Sequence, residues 1–228
     1  MARRLGLPLA PVMPVRLCPL PGPLYTVLMG YKEAPLSEAR HRFAGIVDAL
    51  CNAFLRHHAA CLAAVLHGPV DFALPVPSTS RRGRTPLDLV PGLPAHVEEA
   101  VGPPGTWSPG LLRHAGGPIG HMRPNASAFA VPSRARPALA GARVLLLDDT
   151  YVSGSRAQSA AAALRLAGAG ATLIVPLGRV LRPDRSPLHA AFLRRSEVPA
   201  DAGTGPDRRL GPGATRCCRC VQTEAAMG

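Results

Sequence analysis

A strand–loop–helix–strand pattern in the second half of the chain restricts the fold more than any other feature. Residues 143–147 (RVLLL) are apolar without alternation, which is typical of a parallel strand buried on both faces. An Ala-rich helix is predicted over residues 156–167, before Gly168, and residues 171–177 (ATLIVPL) predict a second buried strand. Two parallel strands joined through a helix form one right-handed crossover, so this pattern predicts an α/β fold.

The first half contributes two further elements. Apolar residues recur at steps of mostly three or four between residues 37 and 66, which predicts a long helix with Ser37 as its N-cap. Residues 71–77 (DFALPVP) predict a short buried strand that ends in a turn made rigid by proline. Residues 78–141 are dense in Pro, Gly and Arg, and helical periodicity there is limited to residues 93–100.

Composition divides the chain into three parts. We expect an extended segment at 1–24, an α/β domain at 25–181 and a disordered tail rich in Arg, Pro and Gly at 182–228. The 47% hydrophobic content suffices for a packed core, and no apolar run is long enough to predict a membrane-spanning helix. Prolines interrupt the apolar stretch near the N-terminus, so it does not match a signal peptide. We therefore expect a cytoplasmic protein without a membrane partner.

Net charge favours polyanionic ligands without identifying one. The formal charge is +12, and Lys32 is the only lysine among 26 basic residues. Arginine binds phosphate well, but no basic run alternates with aromatic residues as in surfaces that stack single-stranded nucleic acid. A genome rich in GC, which encodes Arg where Lys would serve, explains the total charge without any binding role. Nucleic-acid binding driven by charge alone is therefore the weakest functional hypothesis.

The loop between the first strand and the helix carries the most chemistry. Asp148 and Asp149 follow the strand, and Ser153-Gly154-Ser155 precedes the helix. A glycine and unpaired N–H groups at the start of a helix can hold a phosphate, and the carboxylates can accept hydrogen bonds from vicinal hydroxyls. Together they suit a sugar phosphate. Acidic and Ser residues are also ordinary at strand–helix turns, so the residue types alone leave both interpretations open.

The complete string VLLLDDTYVSGSRAQSAAAALRLAGA resembles the phosphoribosyl pyrophosphate motif of the type I phosphoribosyltransferases. Three other segments are similar to the ComF-like branch of that family: residues 71–77 followed by Arg81-Arg82-Gly83, Arg123-Pro124-Asn125, and Tyr31-Lys32. The resemblance covers residues 25–180. It implies a mainly parallel sheet of about five strands flanked by helices, as in type I phosphoribosyltransferases.

The resemblance also implies site residues. Asp148 and Asp149 would bind the ribose hydroxyls, and Mg²⁺, which would bridge the pyrophosphate to the ribose diol, would be held through the ligand and through Asp148 and Asp149. The residues that would hold the 5′-phosphate, mainly through backbone N–H groups, are Val152, Ser153, Gly154, Ser155 and Arg156. The residues that would face the pyrophosphate are Pro75, Val76, Pro77, Ser78, Arg81 and Arg82.

The activity implied is transfer of a phosphoribosyl group from phosphoribosyl pyrophosphate to a nitrogenous acceptor, in nucleotide metabolism. Three departures from the family pattern leave an alternative open. Val152 and Arg156 stand where the family loop usually has Thr, residues 82–86 replace an Arg-Gly-aromatic-Asn-Gln run, and no base-recognition hood is evident. The alternative is a non-catalytic ComF-like protein that binds a ribose 5-phosphate-like ligand and acts in DNA uptake or nucleic-acid handling.

The cysteines predict a possible second site. Cys217 and Cys220 form a Cys-x-x-Cys pair, which supplies two of the four ligands of a structural Zn²⁺ ion. His57 and Cys61, one helical turn apart, would complete such a site, as would Cys18. Idle thiols in a disordered tail are the simpler interpretation, so Zn²⁺ is an alternative and not the main prediction.

Overall fold

The computed structural model describes residues 1–78, 85–103 and 105–197. The strands are β1 (Arg16–Pro19), β2 (Phe72–Pro75), β3 (Arg113–His114), β4 (Phe129–Ala130), β5 (Arg143–Tyr151) and β6 (Ala171–Leu181). The α-helices are α1 (Ala2–Leu5), α2 (Pro23–Glu33), α3 (Ser37–Leu66), α4 (Leu93–Ala100), α5 (Arg136–Leu139), α6 (Ser155–Leu166) and α7 (Pro187–Glu197). Short 3₁₀ turns occupy Pro86–Leu89, Pro109–Leu111, Ala126–Ala128 and Ser133–Ala135.

The main sheet has four parallel strands in the order β1–β6–β5–β2. Leu145, at its centre, lies opposite Ala73 of β2 and Leu173 of β6. The predicted crossover is therefore confirmed: β5 leads through α6 into the neighbouring parallel strand β6. The sequence predicts about five strands; in the described residues β3 and β4 instead form a separate antiparallel pair. The chain is an α/β protein with a four-stranded parallel sheet flanked by helices.

Apolar layers cover both faces of the sheet. One layer joins α2, α3 and α4 to the sheet, and it includes Leu28, Val47 and Leu147. The other lies between the sheet and the Ala-rich face of α6, and it includes Leu146, Ala157 and Ala160. A parallel strand with a helix layer on each face is apolar at every position, which explains the unbroken run at the start of β5.

The sequence predicts that residues 1–24 form an extended segment outside the domain, but in the structure this segment is part of the domain. β1 pairs in parallel with β6, and Cys18 of β1 is completely buried. Upstream, the Met13 amide donates to the Ile174 carbonyl at 2.9 Å. The side chain of Gln158 binds both backbone groups of Ala10, each at 2.9 Å. The segment thus covers the otherwise open edge of β6, whose backbone groups need partners.

The tail also differs from its expected form where the structure describes it. The sequence predicts disorder from residue 182, whereas α7 begins at Pro187 and ends at Glu197. The Arg182 amide donates to Nδ1 of His189 at 3.0 Å and links this helix to the end of β6. Residues 198–228, with Cys217 and Cys220, lie outside the described residues.

The helix α3 has the length and apolar composition of a membrane span. This is weak evidence, because a helix in the core of a soluble protein meets the same criterion. Buried residues of α3, among them Val47, Cys51 and Leu62, belong to the core layer shared with α2 and α4. The chain was expected to have no membrane partner, and that remains a prediction.

An ion pair at the beginning of β2 and β5 predicts a pH-dependent stability. Asp71 accepts hydrogen bonds from Nε and Nη2 of Arg143, both at 2.9 Å. These bonds lower the pKa of Asp71, so its carboxylate stabilises the fold above the unfolded pKa of about 4 and loses this effect as the pH falls through the folded pKa. We expect Asp71→Asn to be less stable than wild type at pH 7 and the difference to shrink with acidification. Urea unfolding of both proteins between pH 7 and pH 3 measures this, and a difference that is constant with pH would contradict it.

Candidate phosphate and ribose site

The candidate site lies where β5 ends and α6 begins, at the carboxyl edge of the parallel sheet. Ligands of α/β proteins bind at this edge because loops from neighbouring strands meet there. Pro75 of β2 lies opposite Leu147 of β5, and the Val76 amide donates to the Leu147 carbonyl at 2.7 Å. The residues expected to face pyrophosphate at 75–78 are therefore adjacent to Asp148. Arg81 and Arg82 lie outside the described residues.

The turn between β5 and α6 presents backbone N–H groups. Within the part of the chain that the structure describes, the amides of Val152, Ser153 and Gly154 have no hydrogen-bond partner. The Ser155 amide has only a long contact of 3.5 Å to Oγ of Ser153. Unpaired amides at a helix N-terminus attract anions, and the helix dipole adds to this attraction.

Gly154 gives the turn its shape. Its φ is 77°, in the left-handed region, where a side chain is strained. A Cβ at this position would overlap the ring and hydroxyl of Tyr151. Gly154 is itself buried, and the side chain of Met1 covers part of the turn, with Sδ 3.8 Å from Oγ of Ser155.

The segment that contains Asn125 supports the turn from the other side. The Asn125 amide donates to Oγ of Ser159 at 2.8 Å, and the same hydroxyl donates to the Ser155 carbonyl at 2.5 Å. This places the Arg123-Pro124-Asn125 segment next to the first turn of α6. Two regions that carry the sequence resemblance, this segment and the turn before α6, thus lie next to each other.

The two aspartates are buried and neutralised by basic side chains. Asp148 and Asp149 are each 3% exposed. Arg156, in the first turn of α6, donates through Nη2 to Oδ1 of Asp149 at 2.8 Å and also to Oδ1 of Asp148. Lys32, from α2, forms an ion pair with Oδ2 of Asp149. Two carboxylates and two cations therefore share one site.

The pKa values of the two carboxyl groups are shifted in opposite directions. Burial raises the pKa of Asp148, Arg156 partly opposes this, and the neighbouring Asp149 adds to it. Burial also acts to raise the pKa of Asp149, but Lys32 and Arg156 outweigh it and lower the pKa. Asp149 is consequently the anion of the pair, and Asp148 accepts a proton more readily.

Tyr31 brings an unsatisfied hydroxyl to the same region. Its side chain is completely buried, and within residues 1–78, 85–103 and 105–197 the hydroxyl has no hydrogen-bond partner. Burial raises the pKa of Tyr31, and the charges of Asp149 and Asp148 raise it further. The phenol is therefore a neutral donor close to both carboxylates, and an unpaired buried donor is unusual in a protein core.

Lys32 and Tyr31 are the site residues that the sequence identified least well. The sequence identifies Tyr31-Lys32 only as a segment similar to ComF-like proteins and predicts no role in the site for either residue. One signal was available: Lys32 is the only lysine in a chain that otherwise uses Arg. In the structure this lysine is 15% exposed and pairs with Asp149, where a compact ammonium is the cation.

A directly bound Mg²⁺ ion does not fit this arrangement. Oδ1 of Asp148 and both oxygens of Asp149 are occupied by Arg156 and Lys32. Among the described residues there is no group of three or more His, Cys, Asp or Glu that could hold a metal. Mg²⁺ therefore stays a prediction that depends on the phosphates of a ligand.

The described part of the proposed Zn²⁺ site does not form a metal-binding group. His57 is exposed, and its Nδ1 hydrogen-bonds the Ala53 carbonyl at 2.8 Å within α3. Cys61 lies one turn further along α3 and is half-buried. Cys18 is buried in the core. Because Cys217 and Cys220 lie outside the described residues, Zn²⁺ binding stays an untested alternative.

Comparison with known proteins does not assign the chain to a family. No family model matches it, and no curated protein matches it in a sequence search. The structure itself shows an α/β protein whose four-stranded parallel sheet is compatible with a Rossmann-like fold. Any functional conclusion therefore depends on the site.

Proposed function

We propose that the protein is a ComF-like member of the type I phosphoribosyltransferases that binds phosphoribosyl pyrophosphate and transfers its phosphoribosyl group to a nitrogenous acceptor. One observation carries this proposal. A pair of buried carboxylates, Asp148 and Asp149, lies directly beside a turn with unpaired amides, at the carboxyl edge of a parallel sheet. The amides of the turn are donors for a phosphate, and the carboxylates are acceptors for the hydroxyls of a ribose diol.

Each part of the ligand has a partner in this proposal. The 5′-phosphate binds the amides of residues 152–154 at the N-terminus of α6. The ribose hydroxyls donate to Asp148 and Asp149, and the hydroxyl of Tyr31 is a further donor near this pair. The pyrophosphate lies toward the turn after β2, at residues 75–78, and carries Mg²⁺ with it.

In the proposed reaction the bond between C1′ and the pyrophosphate oxygen breaks, and pyrophosphate leaves with the electron pair. The acceptor nitrogen forms the new bond to C1′ and loses its proton. Positive charge develops on the ribose ring in the transition state, so the protein contributes mainly by positioning the reactants and by electrostatic stabilisation. The buried carboxylates below the ring favour that positive charge.

A second candidate is a non-catalytic protein that binds phosphoribosyl ligands. Arg156 favours it, because the guanidinium contacts both carboxylates that the ribose would need. The family loop usually has Thr here, which cannot make this contact. Binding of a phosphorylated pentose is common to both candidates, and turnover separates them.

Calorimetric titration with phosphoribosyl pyrophosphate and Mg²⁺, together with a pyrophosphate-release assay across a panel of bases, tests the proposal. We expect saturable binding by wild type and at least about tenfold weaker binding by Asp149→Asn, because Asp149 is the anion of the pair and one lost charge-assisted hydrogen bond costs about 1.5–3 kcal/mol. Circular dichroism checks that the variant is folded, and Asp184→Asn, at an exposed aspartate after β6, is the control. No heat at millimolar ligand would overturn both candidates, and binding without pyrophosphate release would favour the second.

A further inference from the structure

We infer that Arg156 is a latch that closes the ribose-binding carboxylates until a phosphate group binds the adjacent turn, so that the site selects phosphorylated pentoses over free ones. This inference rests on the proposed function, since it assumes that the turn holds phosphate and the carboxylates hold the diol. Arg156 stands where the family loop usually has Thr. Through this residue, ligand binding at the carboxylates would depend on phosphate binding at the turn.

The latch is visible as a contact between neighbouring elements. The backbone of Arg156 belongs to the first turn of α6, directly after the proposed phosphate turn. Its side chain extends back to β5 and binds Oδ1 of Asp148 and Oδ1 of Asp149. Since these oxygens are the acceptors that vicinal hydroxyls would use, the guanidinium and a ribose diol compete for the same atoms.

Charge balance explains why a free pentose does not release the latch. Asp148 and Asp149 are 3% exposed, and Arg156 and Lys32 compensate their charges. Removing the guanidinium leaves a buried carboxylate without its cation, which is strongly unfavourable. An uncharged diol supplies hydrogen bonds but no positive charge, so it cannot compensate for that loss.

A phosphate group on the turn changes this balance. It gives the guanidinium a second anionic partner within reach of the same residue, and the planar fork of arginine binds phosphate as well as carboxylate. The side chain of Arg156 is 30% exposed, so it lies at the mouth of the site and is not enclosed as the aspartates are. The new guanidinium–phosphate pair therefore offsets the cost of separating Arg156 from the carboxylates, Lys32 remains as the cation of Asp149, and the carboxylate oxygens open to hydroxyls.

Tyr31 provides an independent sign that the carboxylate side of the site accepts a ligand. Its hydroxyl is buried and has no hydrogen-bond partner among the described residues, and the charges of Asp149 and Asp148 both raise its pKa. A hydroxyl of the incoming sugar would satisfy this donor. A purely structural ion-pair cluster gives no reason for an unpaired polar group beside it.

Titrations of the full chain with ribose, ribose 5-phosphate and inorganic phosphate test the latch. We expect wild type to bind ribose 5-phosphate and inorganic phosphate, and to bind ribose at least about fivefold more tightly when phosphate is present, the lower end of typical coupling between sites. Arg156→Thr should bind ribose alone more tightly than wild type and lose the dependence on phosphate. Arg156→Lys keeps the cation, and because Arg156 contacts both carboxylates through Nη2 alone, this variant should retain part of the dependence on phosphate.

Arg40→Thr is the matched control, because Arg40 is exposed on α3 and its replacement changes the net charge equally. Equal ribose affinity with and without phosphate in wild type would overturn the latch, and this result requires no variant to fold. Equal ribose affinity of wild type and a folded Arg156→Thr would also overturn it. If neither ribose 5-phosphate nor inorganic phosphate binds wild type, both the proposed function and the latch fail. If these ligands bind but the ribose affinity does not depend on phosphate, only the latch fails.

Discussion

Lys32→Met is expected to lower the free energy of unfolding by about 3 kcal/mol, the lower end of the cost of breaking a buried ion pair. The ammonium of Lys32 pairs with Oδ2 of Asp149, and the two side chains are 15% and 4% exposed. Methionine keeps most of the length of the side chain but leaves the carboxylate with Arg156 as its remaining cation. Urea unfolding at pH 7, followed by circular dichroism, measures the loss.

A second ion pair of the same protein provides the control. Arg42 and Glu38 lie one turn apart on α3 at 3.4 Å, and their side chains are 77% and 84% exposed. Arg42→Met should cost less than about 0.5 kcal/mol, because an exposed pair is screened by water and loses side-chain entropy when it forms. If Lys32→Met and Arg42→Met cost the same, the buried charge cluster does not contribute to stability as described.

Gly154→Ala is expected to destabilise the fold by about 2–5 kcal/mol and to abolish phosphate binding. The left-handed φ of 77° costs a non-glycine residue about 1–2 kcal/mol. The new Cβ also overlaps Tyr151, which is 1% exposed and cannot move aside, and such overpacking costs about 1–3 kcal/mol. Relief of the overlap moves the turn and displaces its amides from the phosphate.

Gly141→Ala separates the cost of the left-handed backbone from the cost of the overlap with Tyr151. Gly141 has a φ of 73°, and a Cβ there has no atom within 4 Å. This variant should lose only the backbone contribution, about 1–2 kcal/mol, and keep wild-type phosphate affinity. Thermal unfolding and phosphate titration of both variants check this. Equal losses of stability in the two variants would contradict the role assigned to the contact with Tyr151.

Local sequence patterns predicted the central part of the fold closely. The structure has α3 at Ser37–Leu66 as expected, although its N-cap is Leu36 and not Ser37, and α6 at Ser155–Leu166 lies within one residue of its predicted range. β5 extends to Tyr151, four residues beyond the predicted end at Leu147. The polar residues after Leu147 indicated a loop, but their backbones continue the ladder with β6, for example at Thr150 opposite Gly178. Side-chain polarity did not reveal this pairing, because it depends on backbone groups of a distant strand.

The ends of the domain were predicted less well for a similar reason. β1 is only four residues long and carries little apolar pattern of its own. It is a strand because β6 offers an unpaired edge, and Gln158 binds the backbone at Ala10. No local signal in residues 1–24 could indicate these partners, which lie about 150 positions away in the chain.

The sequence by itself determined the strand–helix–strand unit, the two aspartates at its edge and the glycine turn beside them, because all of these are encoded within about 35 consecutive residues. Only the tertiary structure decided that Lys32 and Tyr31 join this site and that the Arg156 side chain lies on the carboxylates. The physical reason is charge compensation in a buried place. Which cations neutralise a buried carboxylate pair depends on packing across the whole domain, and a local pattern does not contain that information.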